Sequence, residues 1–107
     1  MRISDKTVEE HLDALERLGP KAAAARADAD FLTEMLKTVH AKEYLSSDLP
    51  RAADKEAEAF ASDSYQEALH DRRKAFVVAE TLRHEKAWRE RVIDAWQTMS
   101  ANNRGKI

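Results

Sequence analysis

SYQEALHDRRKAFVVAETLRHEKAWRERVIDAWQTMSAN, residues Ser64–Asn102, is the stretch that decides the fold of this chain. It holds 39 residues without glycine or proline, and it carries both tryptophans, Trp88 and Trp96. As a straight α-helix it would be roughly 58 Å long at 1.5 Å per residue. That length exceeds the diameter of a compact domain of this size, so we expect the rest of the chain to lie along it.

The composition of the whole chain is typical of long helices with a large solvent-exposed surface. Among 107 residues, 36% are charged and 7% are aromatic, and there are only two glycines and two prolines. Sandwiches and α/β folds need more turn residues than this. We therefore predict one all-α domain over residues 1–107, an elongated antiparallel helical hairpin that resembles a coiled coil and has a short connecting helix.

Several classes of protein and site are excluded by simple counts. The chain has no cysteine, which excludes disulfides and thiolate metal sites. No apolar run approaches the 18 residues of a membrane-spanning helix, and the first six residues lack the apolar core of a secretion signal. These observations predict a cytoplasmic protein that does not enter the membrane.

The formal net charge of −2 hides a difference between the two halves of the chain. Residues 1–63 contain 9 Lys/Arg and 14 Asp/Glu, whereas residues 64–107 contain 9 Lys/Arg and 6 Asp/Glu. The first interpretation is that the halves pack antiparallel and attract each other; the second is a basic face for nucleic acid. An acidic total disfavours non-specific DNA binding, because affinity grows with the number of phosphates neutralised.

A seven-residue repeat predicts the first long helix. Its two seam positions are Val8, Leu15, Ala22, Ala29 and Leu36, and His11, Leu18, Ala25, Leu32 and Val39. Gly19-Pro20 interrupts the repeat without changing its phase, so we predict a helix over about 7–45 that is bent or briefly broken near Pro20. Thr7–Glu10 has the pattern of a capping box at its start. We expect the main core cluster at Phe31, Leu32, Met35, Leu36 and Val39.

A short second helix is predicted over about 50–61, after a turn in which Asp48 caps it and Pro50 occupies its first turn. The last helix is predicted over about 64–102, capped by Asp63 or Ser64. Asn102–Gly105 should end it, since these residues tolerate left-handed backbone, and the tail beyond should fray.

The last helix carries two apolar stripes, and a two-helix hairpin can bury only one of them. The stripe expected to face the first helix is Tyr65, Leu69, Phe76, Ala79, Leu82, Ile93 and Trp96. Arg72, Lys86 and Arg89 lie along it and must extend to solvent or pair with acids. The second stripe is Val77, Thr81, His84, Trp88, Val92, Ala95 and Met99. It needs the short helix, another subunit or a partner, and we favour self-association. The predicted interface residues are Val77, Trp88, Val92, Ala95 and Met99, flanked by Arg91 and Arg104.

Two alternatives give the charged residues a function. Arg83, Lys86, Arg89, Arg91 and Arg104 could bind single-stranded nucleic acid, with tryptophan stacking on bases. The acidic cluster Asp28, Asp30 and Glu34 could mimic phosphates in an inhibitor. Ordinary ion pairs between neighbouring helical turns explain the basic residues more simply, and a solvent-exposed helix face explains the acidic cluster.

Catalytic and metal chemistry is not supported by the motifs. Glu67 and His70 have the Glu-x-x-His spacing of helical metal sites, but no second copy exists. Glu80 and His84 lie one turn apart without a nucleophile or a glycine-rich loop. We predict no catalytic residue, no metal and no cofactor.

One region resembles a known family. RVIDAWQTMSANNR at 91–104 resembles the ending of small helical proteins of tailed phages and prophages, in which an arginine, a tryptophan and a polar-Ala-Asn-Arg ending follow a charged helix. AFASDSYQ at 59–66 resembles the segment that leads into that helix. The family has no established activity, and its genes often lie beside genes of single-strand annealing or replication. Gly19-Pro20 departs from its unbroken first helix.

The resemblance and the stripes together predict a non-enzymatic phage accessory protein. It would form a homo-oligomer and bind another phage or host protein of DNA recombination, replication or host defence. Nucleic-acid binding by the basic helix and nucleic-acid mimicry by the acidic half are the alternatives.

Overall fold

The computed structural model of the protein describes residues 3–105, and the described chain consists of three α-helices without strands. Helix α1 spans Asp5–Ser46, α2 spans Ala52–Ala61 and α3 spans Asp63–Gly105. The two long helices pack against each other as a helical hairpin, and the short helix connects them. The predicted fold class is therefore confirmed.

Helix α1 begins one turn before the predicted capping box. The amide of Thr7 donates a hydrogen bond to Ser4 Oγ over 3.2 Å, and the two hydroxyl oxygens are 2.8 Å apart. Ser4 is thus the capping residue, and the prediction of a capping box at Thr7–Glu10 is wrong. Asp5 in the first turn also places negative charge where the helix dipole favours it.

Helix α1 runs without a break through Gly19-Pro20, with Pro20 inside the helix. Proline has no amide hydrogen, so the bond that residue 20 would normally make to the carbonyl of Glu16 is lost. The apolar repeat continues on both sides of this defect. All ten predicted seam positions are buried or half-buried, which confirms the repeat as the packing face of α1.

The contacts of the chain form two compact units, and the single domain remains a prediction. The first unit contains α1 up to Ala24 and α3 from Glu80. Its helices are antiparallel: the Trp96 indole donates to Asp5 Oδ1 over 3.3 Å, and the rings of His11 and Trp88 meet with centroids 5.1 Å apart. The buried apolar side chains of this unit are Val8, Ala14 and Leu18.

The second unit, Ala25–Ala79, contains the rest of α1, all of α2 and the start of α3. Its buried apolar residues are three alanines, Ala29, Ala59 and Ala79. The predicted core cluster is only half-buried, and for Phe31, which is 63% exposed, the prediction is wrong. Phe31 lies between the seam positions Ala29 and Leu32, so its side chain points away from the packing face.

Ser47 and Ser62, which were not among the predicted capping residues, make side-chain hydrogen bonds at the α1–α2 and α2–α3 junctions. Ser47 Oγ donates to Glu58 over 2.7 Å and accepts from the amide of Leu49 over 3.2 Å, while the residue before α2, Arg51, makes no side-chain cap. Asp48 is therefore not the cap of α2.

Between α2 and α3, Ser62 alone separates the helices. Its Oγ donates to the carbonyl of Ala59 over 2.7 Å and accepts from the amide of Tyr65 over 3.2 Å. Ser62, rather than Asp63 or Ser64, caps α3. At the other end α3 continues through Asn102 and Asn103 and ends at Gly105, within the predicted segment, but no residue among the described ones has the left-handed backbone expected there. The tail predicted to fray, residues 106–107, lies outside the described residues.

Candidate interaction surface on the last helix

The first stripe of α3 packs as predicted. All seven of its residues are buried or half-buried, and Ala79 is buried. The three cations along it find partners. Arg72 Nε donates to Thr33 Oγ1 over 2.9 Å, Lys86 Nζ is 3.8 Å from a carboxylate oxygen of Glu90, and Arg89 bonds to two residues described below. The prediction that these cations extend to solvent or pair with acids is confirmed for Lys86 and Arg89, whereas the half-buried Arg72 bonds to a hydroxyl group instead.

The second stripe is largely uncovered by the part of the chain that the structure describes. In the first unit, Trp88 is 50% exposed, Ala95 is exposed, and Val92 and Met99 are half-buried. We call these four residues the Trp88 surface. The fifth predicted interface residue, Val77, lies in the second unit and is 58% exposed. Its neighbour Val78 is also exposed. The stripe pattern did not include Val78, although the apolar run that contains Val77 and Val78 could have identified it.

Trp88 is anchored on one side and open on the other. Its ring meets His11 of α1 edge to face, with an interplanar angle of 78°, and His11 is only 7% exposed. The guanidinium carbon of Arg89 lies 5.4 Å from the centroid of the Trp88 ring. A held indole with a free face is a rigid contact group, because little side-chain entropy remains to be lost on binding.

Arg89 is part of the packing between the two helices. Its Nη1 lies 3.2 Å from His11 Nδ1, and its Nη2 donates to Glu85 over 3.2 Å. Since a guanidinium can only donate, His11 Nδ1 accepts, and the neutral ring carries its hydrogen on Nε2. With only 22% of its side chain exposed, Arg89 is poorly placed to contact a phosphate, and its assignment to a nucleic-acid surface stays a prediction.

We expect Arg89→Met to lower the free energy of unfolding by about 1–2 kcal/mol, because it leaves the buried His11 Nδ1 without a donor. Arg91→Met, on the exposed face two residues further on, should change it by less than about 0.5 kcal/mol. Urea unfolding of both variants, followed by far-UV circular dichroism at one protein concentration, measures the difference. Equal losses would show that the bond to His11 contributes nothing.

The other proposed nucleic-acid contacts are engaged to different degrees. Arg83 donates to Glu80 over 2.7 and 3.0 Å, and this hydrogen bond and the charge of Glu80 raise the pKa of Arg83. Arg104 Nε lies 3.4 Å from the carbonyl of Ser100. Arg91 makes no ion pair within residues 3–105. Arg91 and Arg104 alone among the five therefore lack a carboxylate partner in the described chain.

The acidic cluster of α1 is partly neutralised by its own helix. Asp30 pairs with Arg26 at 3.3 Å and Glu34 pairs with Lys37 at 3.2 Å. Asp28 borders a shallow hollow with Ala25 and Ala75. Such local pairs are the simpler explanation of these charges, and phosphate mimicry stays an untested prediction.

The titratable groups that could carry chemistry are dispersed. Glu80 and His84 are 3.9 Å apart on an exposed face. Within the described chain, no group of three or more His, Cys, Asp or Glu side chains could hold a metal ion, and none of the helices has a stretch apolar enough to cross a membrane. Comparison of the chain with protein-family models, curated proteins and solved structures finds no match.

Proposed function

We propose that this protein is a non-enzymatic helical module that acts through protein–protein contact and that the Trp88 surface joins two copies of the chain. The observation that carries this proposal is Trp88 itself. Its indole is fixed against the buried His11, yet half of its surface is exposed. Large aromatic side chains held in this way are the residues that dominate binding energy at interfaces.

The rest of the Trp88 surface suits contact with a second copy. Val92, Ala95 and Met99 follow Trp88 at spacings of one, two and three helical turns, so that all four lie on one face of α3. Because a two-fold interface uses the same patch on both copies, this one face is sufficient to form a dimer. The small Ala95 leaves room for the indole of the second copy, and burial of the four side chains removes apolar area from water.

The test is molecular mass by light scattering after size exclusion, over a series of dilutions. We expect the wild-type protein to be a dimer, and Trp88→Ala to raise its dissociation constant by roughly tenfold or more, as loss of a buried aromatic anchor does. Leu45→Ala is the matched control, because Leu45 is a highly exposed apolar residue outside the Trp88 surface. A wild-type monomer at every concentration, or a Trp88→Ala dimer of unchanged affinity, would refute the proposal.

A short single-stranded oligonucleotide added at low salt tests the alternative function in the same experiment. Direct nucleic-acid binding predicts an increase in mass and a steep loss of binding with salt. We place this function second, because the side chain of Arg89 is engaged between the helices and Arg83 and Lys86 are paired with glutamates.

The biological setting is part of the proposal. The resemblance of 91–104 to small helical phage proteins supports an accessory role beside proteins of DNA recombination, replication or host defence. A cytoplasmic location belongs to the same proposal. The expected partner is another protein, and the dimer would present it with two copies of the same helical surface.

A further inference from the structure

A cleft in the second unit has the size and the lining of a small-molecule site. Its volume is about 430 Å³, within the range of pockets that hold small ligands. All three helices line it, and its lining side chains other than Leu36 are aromatic, polar or cationic: Thr33, Lys37, His40, Phe60, Tyr65 and Arg72. The Trp88 surface lies in the other unit and contributes nothing to it.

Three rings form the aromatic wall of the cleft. His40 of α1 lies 4.4 Å from Phe60 of α2 and 6.1 Å from Tyr65 of α3, measured between ring centroids. Phe60 and Tyr65 meet edge to face at 5.2 Å. The one-residue junction at Ser62 holds them together, since it joins the last turn of α2 to the first turn of α3. Such a wall offers ring faces and edges to a flat apolar group.

Arg72 supplies the cationic end of the cleft. Its Nε donates to Thr33 Oγ1, whose own hydrogen is committed to the carbonyl of Ala29 over 2.9 Å. The guanidinium carbon also lies 4.6 Å from the centroid of the Phe76 ring. The side chain is therefore held in one orientation by a hydrogen bond and by stacking.

The terminal nitrogens of Arg72 are not used by the protein. Within the described chain Arg72 has no ion pair, and its Nη1 and Nη2 make no hydrogen bond, although the residue is half-buried. A fixed guanidinium with two parallel donors available binds carboxylate, sulfonate or phosphate oxygens better than a mobile surface cation does. Lys37, the second cation, is already paired with Glu34 and mostly exposed.

We propose that this cleft binds a small aromatic anion, with its ring against His40, Phe60 and Tyr65 and its acidic group on the free nitrogens of Arg72. The ring of the ligand and its acidic group contact different side chains, so substitutions can measure the contribution of each to the affinity separately. Charge-assisted hydrogen bonds are stronger than those between neutral groups, so the acidic group of the ligand contributes most of the selectivity.

The test uses two fluorescent probes that differ in one group, 1-anilinonaphthalene-8-sulfonate and the neutral N-phenyl-1-naphthylamine. We expect one sulfonate probe to bind per chain, with roughly tenfold higher affinity than the neutral probe. Arg72→Gln should abolish this difference and leave the neutral probe unchanged. Phe60→Leu, at a half-exposed position that should tolerate the change, should weaken both probes several-fold.

Arg73→Gln is the matched control, because Arg73 is exposed and borders a separate apolar hollow with His70, Lys74, Val77 and Val78. It should leave both affinities unchanged. Equal binding of the two probes, unchanged sulfonate binding by Arg72→Gln, or equal losses in Arg72→Gln and Arg73→Gln would overturn the proposal. Circular dichroism verifies that each variant is folded. If Arg72→Gln does not fold, the effect of Phe60→Leu on the affinities of the two probes decides whether the cleft is the binding site. None of these residues belongs to the Trp88 surface, so the result is independent of the oligomeric state.

Discussion

Replacing Pro20 with alanine is expected to raise the free energy of unfolding by about 2 kcal/mol. Pro20 lies in the interior of a 42-residue helix, where proline costs about 3 kcal/mol relative to alanine because it lacks a donor and its ring clashes with the preceding turn. Up to about 1 kcal/mol of this gain is offset, since proline also restricts the unfolded chain. Urea unfolding at a fixed protein concentration, followed by circular dichroism, measures the change.

Pro50→Ala is the matched control. Pro50 is exposed in the bend between α1 and α2, where no helical hydrogen bond would be restored, so this variant should be neutral or lose up to about 1 kcal/mol. If Pro20→Ala were destabilising instead, the packing of α1 would require the local geometry that proline imposes. Gly19→Ala separates the two residues of the interruption. Apart from its chain neighbours and its own helical backbone, a Cβ at Gly19 meets no atom within 4 Å, so the gain should be at most about 1 kcal/mol of helix propensity, reduced by crowding against the ring of Pro20.

Replacing Ala29 with aspartate is expected to lower the free energy of unfolding by more than about 3 kcal/mol. Ala29 is fully buried at the seam of α1, and the neighbouring cation Arg26 is already paired with Asp30. The variant would bury an unpaired carboxylate and also add volume to a closely packed site, and both effects are costly. This loss is a large fraction of the total stability of a small domain. Thermal and urea unfolding measure it.

Ala27→Asp provides the control on the same helical turn. Ala27 is exposed, and both variants place an aspartate beside Asp28 with the same helix propensity. It should cost less than about 1 kcal/mol, mainly through that propensity. If Ala29→Asp does not fold, Ala29→Ser and Ala27→Ser replace the two aspartate variants. Ala29→Ser should lower the free energy of unfolding by about 1 kcal/mol more than Ala27→Ser does, because only the serine at position 29 buries its hydroxyl group. Similar losses at positions 27 and 29 would mean that α1 does not pack through this face.

The periodicity of the sequence determined which faces of the helices meet. The seven-residue repeat of α1 and the first stripe of α3 are both buried or half-buried, as local spacing alone predicted. This works because side chains seven residues apart lie on one face of a helix, whatever the helix packs against. The same pattern identified Trp88 as a residue that the hairpin leaves half exposed, although its ring still contacts His11 of α1.

The periodicity of the sequence did not predict the exact residues at which the helices begin. Ser4 and Ser62 cap helices that were predicted to start at Thr7 and at Ser64, because several nearby polar residues fit the capping pattern equally well. Only the backbone path selects the one whose oxygen reaches the free amides.

The tertiary structure alone decided what the individual cations do. Arg89 reaches His11, 78 residues away, and Arg72 reaches Thr33, 39 residues away, while Arg91 stays on the exposed face. These contacts depend on the register of the antiparallel helices and on the position of α2, which spacing within one helix does not encode. The sequence by itself therefore determined an all-α hairpin and its uncovered aromatic stripe. The structure decided that Arg89 is internal and that Arg72 faces an aromatic cleft, because both depend on side chains brought together from distant parts of the chain.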